Sequence, residues 1–203
     1  MKPYFEDKWA TIYNADCREV LPELPKVDLV LTDPPYGLNI LMQGGTWGIK
    51  FKHSDMKVWD YLVEQSLVDR IIQKGTKAIV WGGNYYVMPP SRCWLIWEKL
   101  QKLDTLADFE MAWTNFNKPC KLWVERRNHA VNGNKHITQK PISLMKWCIL
   151  QAGEVITILD PFMGSGTTVV AAKELSRHSI GIEINEAYCE IAAKRLSQSV
   201  MEF

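Results

Sequence analysis

Val155-Ile156-Thr157-Ile158-Leu159-Asp160-Pro161-Phe162-Met163-Gly164-Ser165-Gly166-Thr167-Thr168-Val169-Val170-Ala171-Ala172 runs from a branched apolar stretch through a glycine turn into a helix start. Val155 to Leu159 predicts a buried strand, and Thr167 to Ser176 predicts a helix directly behind the turn. Glycines in such a turn let a ligand approach the backbone, and the free amides of the helix start favour a carboxylate or phosphate. A triphosphate loop would need a Lys after the last glycine. The dinucleotide fingerprint would need glycine where Val169 stands. The next strand ends at Glu183, nineteen residues after Gly164, close to the interval at which an acidic side chain reaches ribose hydroxyls. A ribose-bearing ligand without phosphates fits this unit. A tight turn followed by an exposed strand-end Glu is the plain structural alternative.

The same alternation extends outward. Val27 to Leu31, Ala78 to Trp81, Trp94 to Trp97 and Ile180 to Ile182 are further short apolar runs that predict strands. Helical patterns separate them: Asp55 to Lys74 with Gly75 as its stop, Pro141 to Gln151 with Pro at the first position, and Glu186 to Leu196 behind the cap candidate Asn185. Strands alternating with helices predict an α/β fold built on a doubly wound, mostly parallel sheet. Leu38 to Ser54 and Asn115 to Gln139 do not fit this pattern and read as long loops, which in open α/β sheets line the ligand crevice. With no repeat or linker-like tract, residues 1–203 read as a single domain.

Composition narrows the class. The chain has 203 residues, 24 Lys+Arg against 23 Asp+Glu, and 47% hydrophobic residues, which fits one globular unit and excludes a disordered or collagen-like chain. No apolar run approaches the roughly 18 residues of a membrane span. The start, Met1 to Lys8, lacks a signal-peptide pattern, so a soluble cytoplasmic protein is expected. Five scattered cysteines (17, 93, 120, 148 and 189) give neither zinc spacing nor a disulfide framework and read as reduced core thiols. No His/Cys/Asp cluster has metal-ligand spacing.

A second constellation is Val27-Asp28-Leu29-Val30-Leu31-Thr32-Asp33-Pro34-Pro35-Tyr36-Gly37, an apolar strand running into an acid, two prolines and an aromatic. The prolines fix φ and donate no hydrogen bonds, so a rigid turn leaves a carbonyl free to accept from a ligand amine. Asp33 adds a second acceptor, and Tyr36 offers a face for a planar ring. The group that suits these features is an exocyclic amine on a nucleobase turned out of its helix. A strand-terminating turn with a packed aromatic is the alternative.

Together, Asp33-Pro34-Pro35-Tyr36 and Asp160-Pro161-Phe162-Met163-Gly164-Ser165-Gly166-Thr167-Thr168 resemble the catalytic and cofactor motifs of the DNA amino-methyltransferases. These use S-adenosylmethionine to methylate adenine N6 or cytosine N4. The catalytic motif comes first here, as in the beta class. The resemblance covers most of the chain: Asn14-Ala15-Asp16-Cys17 is similar to the segment whose acid holds the cofactor adenine. His136 to Pro141 is similar to the segment leading into the cofactor motif, and Gly181-Ile182-Glu183 with Tyr188 to the ribose-binding strand and following helix.

The resemblance implies a Rossmann-like methyltransferase fold of about seven strands with helices on both faces. It implies catalytic roles for Asp33, Pro34, Pro35 and Tyr36, and cofactor-binding roles for Asp16, Lys140, Asp160, Phe162, Gly164, Ser165, Gly166, Thr167 and Glu183. Asp16 is equally open to a helix-capping role with Glu19, and Lys140 to that of a solvated helix-start lysine. Acceptors at Asp33 and the Pro34 carbonyl would hold both amine protons and localise the nitrogen lone pair toward the methyl donor, without a metal. Asp at the first motif position resembles adenine-specific members more often than cytosine-specific ones. Methylation of cytosine N4 or of RNA, and a non-catalytic nucleic-acid-binding module, are the rival readings.

Between Asn115 and Pro141, Lys118, Lys121, Arg126, Arg127, Lys135 and Lys140 face only Glu125. Residues 115–140 are therefore a candidate DNA-recognition segment, with Lys118, Lys121, Arg126, Arg127 and Lys135 as phosphate contacts on double-stranded DNA. Trp113, Phe116 and Trp123 read either as packing beneath it or as base platforms. Many such enzymes carry a larger recognition region, so a short site, a loose preference, a homodimer or a helper subunit all remain open. A solitary methyltransferase from a bacterium, phage or mobile element fits better than half of a large restriction complex, and membership of a restriction-modification system stays open.

Overall fold

The apolar runs form the middle of a single sheet. A computed structural model describes residues 1–37, 62–100, 107–126 and 139–198. Its strands are β1 (Phe5–Glu6), β2 (Ala10–Asn14), β3 (Val27–Thr32), β4 (Gly75–Trp81), β5 (Trp94–Lys99), β6 (Phe109–Thr114), β7 (Lys121–Glu125), β8 (Thr157–Asp160) and β9 (His178–Glu183). Among the described residues these nine strands lie in the order β1-β2-β9-β8-β3-β4-β6-β5-β7. Only β1 and β6 run against the rest, as their antiparallel pairings show. The sheet is thus mostly parallel, as expected, but longer than about seven strands. Four strands lie outside the apolar runs. β1 has two residues, and β7, Lys-Leu-Trp-Val-Glu, alternates along an exposed edge instead of forming an apolar block. The segment Asn115 to Gln139 is accordingly not a continuous loop. The expected Leu38 to Ser54 loop lies outside the described residues.

Helices α1 (Cys17–Val20) and α2 (Gln65–Lys74) cover one face, and α3 (Ile142–Gln151), α4 (Thr167–Glu174) and α5 (Glu186–Ser197) the other. β3 shows why both faces need cover. Leu29 and Leu31 enter the cluster beneath α3 and α4, while Val27 and Val30 enter the cluster beneath α2. Each fully buried side chain of this kind is worth about 1.5–3 kcal/mol. Of the predicted helix from Asp55 to Lys74, Gln65 onward is helical, Leu62 to Glu64 is not, and the earlier part lies outside the described residues. Gly75 stops α2 by opening β4 directly. Pro141 is the cap of α3 and not its first helical residue, because its ψ of 144° is extended. Asn185 caps α5 as predicted, its side chain accepting from the Ala187 amide.

Four of the cysteines are buried, as expected of core thiols, whereas Cys120 is exposed because it lies in the turn entering the edge strand β7. Among the described residues there is no helix long and apolar enough to cross a membrane.

At the amino end of the central pair, Asp28 on β3 accepts from the Ile156 and Thr157 amides at 2.8 and 2.9 Å and from Thr157 Oγ1 at 3.0 Å. These bonds hold its carboxyl below the ordinary range. Asp28→Ala is expected to lower stability by about 1–3 kcal/mol in urea unfolding. Because the folded state favours the ionised form, the wild-type advantage should shrink as pH falls below about 4.

Candidate active site

β3 and β8 are parallel neighbours, so both motif turns leave the sheet at the same edge. From β3 the chain crosses to β4 on one side, and from β8 it crosses to β9 on the other, which opens a crevice at the carboxyl ends between them. Thr32 Oγ1 donates to Asp160 Oδ1 at 2.9 Å, joining the last residues of the two strands.

On the β8 side, the Phe162 amide donates to Asp160 Oδ1 at 3.2 Å. Gly166 caps α4 at φ +84°, where a Cβ would come within 2.6 Å of Ala192 Cβ on α5. Both that backbone angle and that contact require glycine. A Cβ at Gly164 would meet no atom within 4 Å, so the turn faces open space there. The Gly164 amide donates to Glu183 Oε2 at 3.0 Å, and the Asn185 amide to Glu183 Oε1 at 2.8 Å. Asn14 Nδ2 in turn donates to the Glu183 and Ile184 carbonyls, tying the end of β2 to the end of β9. Asp16 caps α1, its side chain accepting from the Arg18 amide at 2.8 Å and pairing with the Arg18 guanidinium, whereas the Glu19 amide goes to the Asp16 carbonyl and not to its side chain as a capping box would have it. Gln139 Nε2 donates to Thr167 Oγ1 at 2.9 Å. Ser165 is fixed from an unforeseen direction: Arg195 Nη1 on α5 donates to its carbonyl at 2.6 Å.

On the β3 side, the Tyr36 hydroxyl donates to Asp33 Oδ1. Tyr86 Oη donates to the Pro35 carbonyl at 2.5 Å. No described group donates to the Pro34 carbonyl, the acceptor that the sequence marks for an amine. The Tyr36 ring stacks on Tyr85 with centroids 5.0 Å apart and rests on Gly82, whose φ is +65°. A Cβ at Gly82 would fall inside that ring. Burial first, and then the Asp33 carboxylate, push the Tyr36 hydroxyl well above its ordinary range.

Lys140 lies closer to the catalytic motif than to the cofactor motif. Its ammonium pairs with Asp33 Oδ2 and with Glu110 Oε2 at 3.3 Å, and it sits 5.1 Å above the Trp81 ring. Glu110 on β6 also pairs with Lys99 on β5. A sequence scan misses Glu110 and Lys99 because neither belongs to a motif. Lys99 lies just past the apolar run Trp94 to Trp97, and Glu110 stands in β6, which no apolar run marks.

The basic segment is dispersed. Lys118 Nζ donates to the Gln151 carbonyl at 2.6 Å, at the far end of α3. Lys121 opens β7 at the amino edge of the sheet, whereas exposed Arg126 follows β7 at the same edge as Asp33. Arg127 and Lys135 lie outside the described residues. Trp113 and Phe116 are buried and Trp123 packs on Trp147, so these aromatics are packing.

A doubly wound, mostly parallel sheet with both turns at one crevice is the Rossmann-like methyltransferase fold. The DNA methylase family model matches residues 89–194, and the chain belongs to that family of N6/N4 DNA methyltransferases. It is 29% identical to the type II methyltransferase M.HinfI of Haemophilus influenzae over 98% of this chain and 71% of the relative. That alignment extends over 258 positions, so the relative carries residues with no counterpart here. The type II methyltransferase M2.LlaDCHI of Lactococcus lactis subsp. cremoris is 25% identical over 97% of this chain and 93% of that protein. Among solved structures, the M1.HpyAVI complex with S-adenosylmethionine superposes with a TM-score of 0.63 at 23% identity, covering 93% of this chain and 99% of the other. The cytosine-N4-specific PvuII DNA methyltransferase gives 0.65 at 18% identity, covering 99% and 91%.

Burial lifts the Asp160 carboxyl to about 6 against the hydrogen bonds from Thr168, Thr32 and the Phe162 amide, which lower it. An acid raised on folding contributes stability below its ordinary range and loses it as pH rises through the folded value. Asp160→Asn should therefore leave thermal stability unchanged near pH 4 and raise it by about 1–3 kcal/mol at pH 8 in the cofactor-free protein. Melting curves across that range check the sign.

Proposed function

We propose that this chain transfers the methyl group of S-adenosylmethionine to the N6 amino group of adenine in double-stranded DNA. The observation that carries the reading is the Thr32–Asp160 bond between adjacent parallel strands. It holds the amine-binding turn and the glycine turn at one crevice. The donor set fits the cofactor. Gly164 faces open space, Glu183 presents a carboxylate at the end of β9 for ribose hydroxyls, and Asp16 lies at the end of the adjoining β2 for the adenine ring. Asp160, Phe162, Ser165, Gly166 and Thr167 shape the turn beneath it.

When bound, the cofactor supplies an electrophilic methyl group on a sulfonium. Transfer would exchange that S–C bond for an N–C bond, with the S–C pair staying on sulfur and the surplus amine proton passing to Asp33 or water. The chain orients the amine. Asp33 and the Pro34 carbonyl would accept hydrogen bonds from its two N–H groups, and the Pro34-Pro35 turn prevents that geometry from relaxing. Asp33 is already bonded to Tyr36 and Lys140, but each carboxylate oxygen accepts more than one donor, so an incoming amine adds to this arrangement. Tyr36, held by Gly82 and Tyr85, forms a wall against which a flipped ring can lie.

Asp at the first motif position supports adenine. The fold does not discriminate, since the PvuII enzyme shares it and is cytosine-N4-specific. Cytosine N4 is the second reading. Incubation with methyl-labelled S-adenosylmethionine and unmethylated DNA, followed by digestion to nucleosides, is expected to place the label in N6-methyl-2′-deoxyadenosine. Label in N4-methyl-2′-deoxycytidine would overturn the base assignment, and no label on DNA would overturn the function. Arg126 is the proposed phosphate contact at this edge. Arg126→Ala should reduce the slope of log affinity for DNA against log salt by about 1, and Lys121→Ala should leave it unchanged.

A further inference from the structure

We infer that Glu110 is a positioning residue for methyl transfer, holding the Lys140 ammonium against Asp33 and, with Lys99, keeping the buried charge around that acid balanced. The inference rests on the catalytic reading of Asp33.

Three strands and the segment before α3 contribute to one chain of charges: Lys99 on β5, Glu110 on β6, Lys140, and Asp33 after β3. The placement follows from register. Trp97 stands opposite Glu110, so Lys99, two residues on, shares the face of Glu110. Trp81 stands opposite Ala112 on that same face. Lys140 thus enters a slot walled by the Trp81 ring below and Glu110 beside it. Both ammoniums are nearly inaccessible, with 5% and 7% of the Lys140 and Lys99 side chains exposed. Glu110 supplies a carboxylate to both of these buried ammoniums and gives Lys140 a second counter-charge beside Asp33.

The balance bears on chemistry because positive charge passes from the sulfonium to the amine during transfer. An ammonium beside Asp33 without its own counter-charge would oppose that build-up and draw Asp33 away from the amine. With Glu110 present, Lys140 orients Asp33 while its field is largely cancelled. Burial alone would raise the Glu110 carboxyl, yet Lys140 and Lys99 hold it at about 2. Burial would lower the Lys140 ammonium, but Asp33 and Glu110 together raise it. Among the described residues, the other titratable groups near this cluster are the Tyr36 hydroxyl on Asp33, the Tyr86 hydroxyl on the Pro35 carbonyl, the Cys148 thiol of α3 and buried Asp160.

Glu110→Gln removes the charge and keeps the shape. Lys140 then loses a counter-charge, so its proton leaves at lower pH and the alkaline limb of kcat moves down. The expected result is a fall in kcat of about tenfold or more, KM for S-adenosylmethionine within about threefold, and an alkaline limb displaced by about one pH unit. Titration of the lysine 15Nζ resonances in the cofactor-free protein should show the same displacement for Lys140. The double variant Lys99→Met/Glu110→Gln removes a neutral pair and should recover part of kcat, and it serves as the readout if the single variant does not fold. Wild-type kcat, pH profile and lysine titration in Glu110→Gln would overturn the inference, as would a double variant no better than a folded single one. Asp33→Ala in the same series keeps the two readings apart. If it retains turnover, the catalytic reading falls with the inference; if it abolishes turnover while Glu110→Gln is silent, only the inference falls.

Discussion

The parallel pairing of β3 with β8 is the constraint on which the site depends. It brings residues more than a hundred positions apart to one edge, where Thr32 donates to Asp160. At the opposite end, Asp28 fastens the same two strands through the Ile156 and Thr157 amides. The crevice is thus clamped at both ends of a short strand pair. Loss of either clamp would let one turn shift relative to the other. A displacement of even about 1 Å matters where catalysis rests on positioning.

Around this pair the chain places polar groups where an all-apolar core would be simpler. Asp160 is buried and raised to about 6, Glu183 is raised by burial against three backbone amides, and Lys140 lies in a slot of carboxylates and indole. Each is costly to bury without a partner. The partners are supplied by elements distant in sequence, so the polar site and the fold are interdependent. The cofactor side relies on backbone shape, through Gly166 against α5 and the Arg195 contact to the Ser165 carbonyl. The amine side relies on charge.

Much of this was legible in the sequence because the turns carry their chemistry locally. Asp33-Pro34-Pro35-Tyr36 and Asp160 to Thr168 each join a strand to a stop or a helix start, and the structure keeps both where the pattern put them. Asn185 announced its cap for the same reason. What could not be read depends on pairing between distant strands. Glu110 and Lys99 are ordinary strand residues until the antiparallel register of β5 and β6 sets them on one face with Trp81. Lys140 precedes the cofactor motif in the chain, and chain order alone does not reveal that its ammonium pairs with Asp33. The basic residues are one cluster along the chain but not in space: Lys118 is held by the end of α3, and Lys121 and Arg126 stand at opposite edges. Edge strands β1 and β7 escaped because they are short or alternating and exposed, so no apolar run marks them.

The proposed function requires one crevice to hold both the methyl donor and an extruded base. The most direct measurement is a crystal structure of the protein with a non-transferring analogue of S-adenosylmethionine and a DNA duplex. The account predicts the analogue over the Gly164 turn with its ribose at Glu183. It also predicts a flipped adenine whose amine donates to Asp33 and to the Pro34 carbonyl, in line with the position of the methyl group. A base anchored elsewhere, with Asp33 still bonded only to Tyr36 and Lys140, would contradict it.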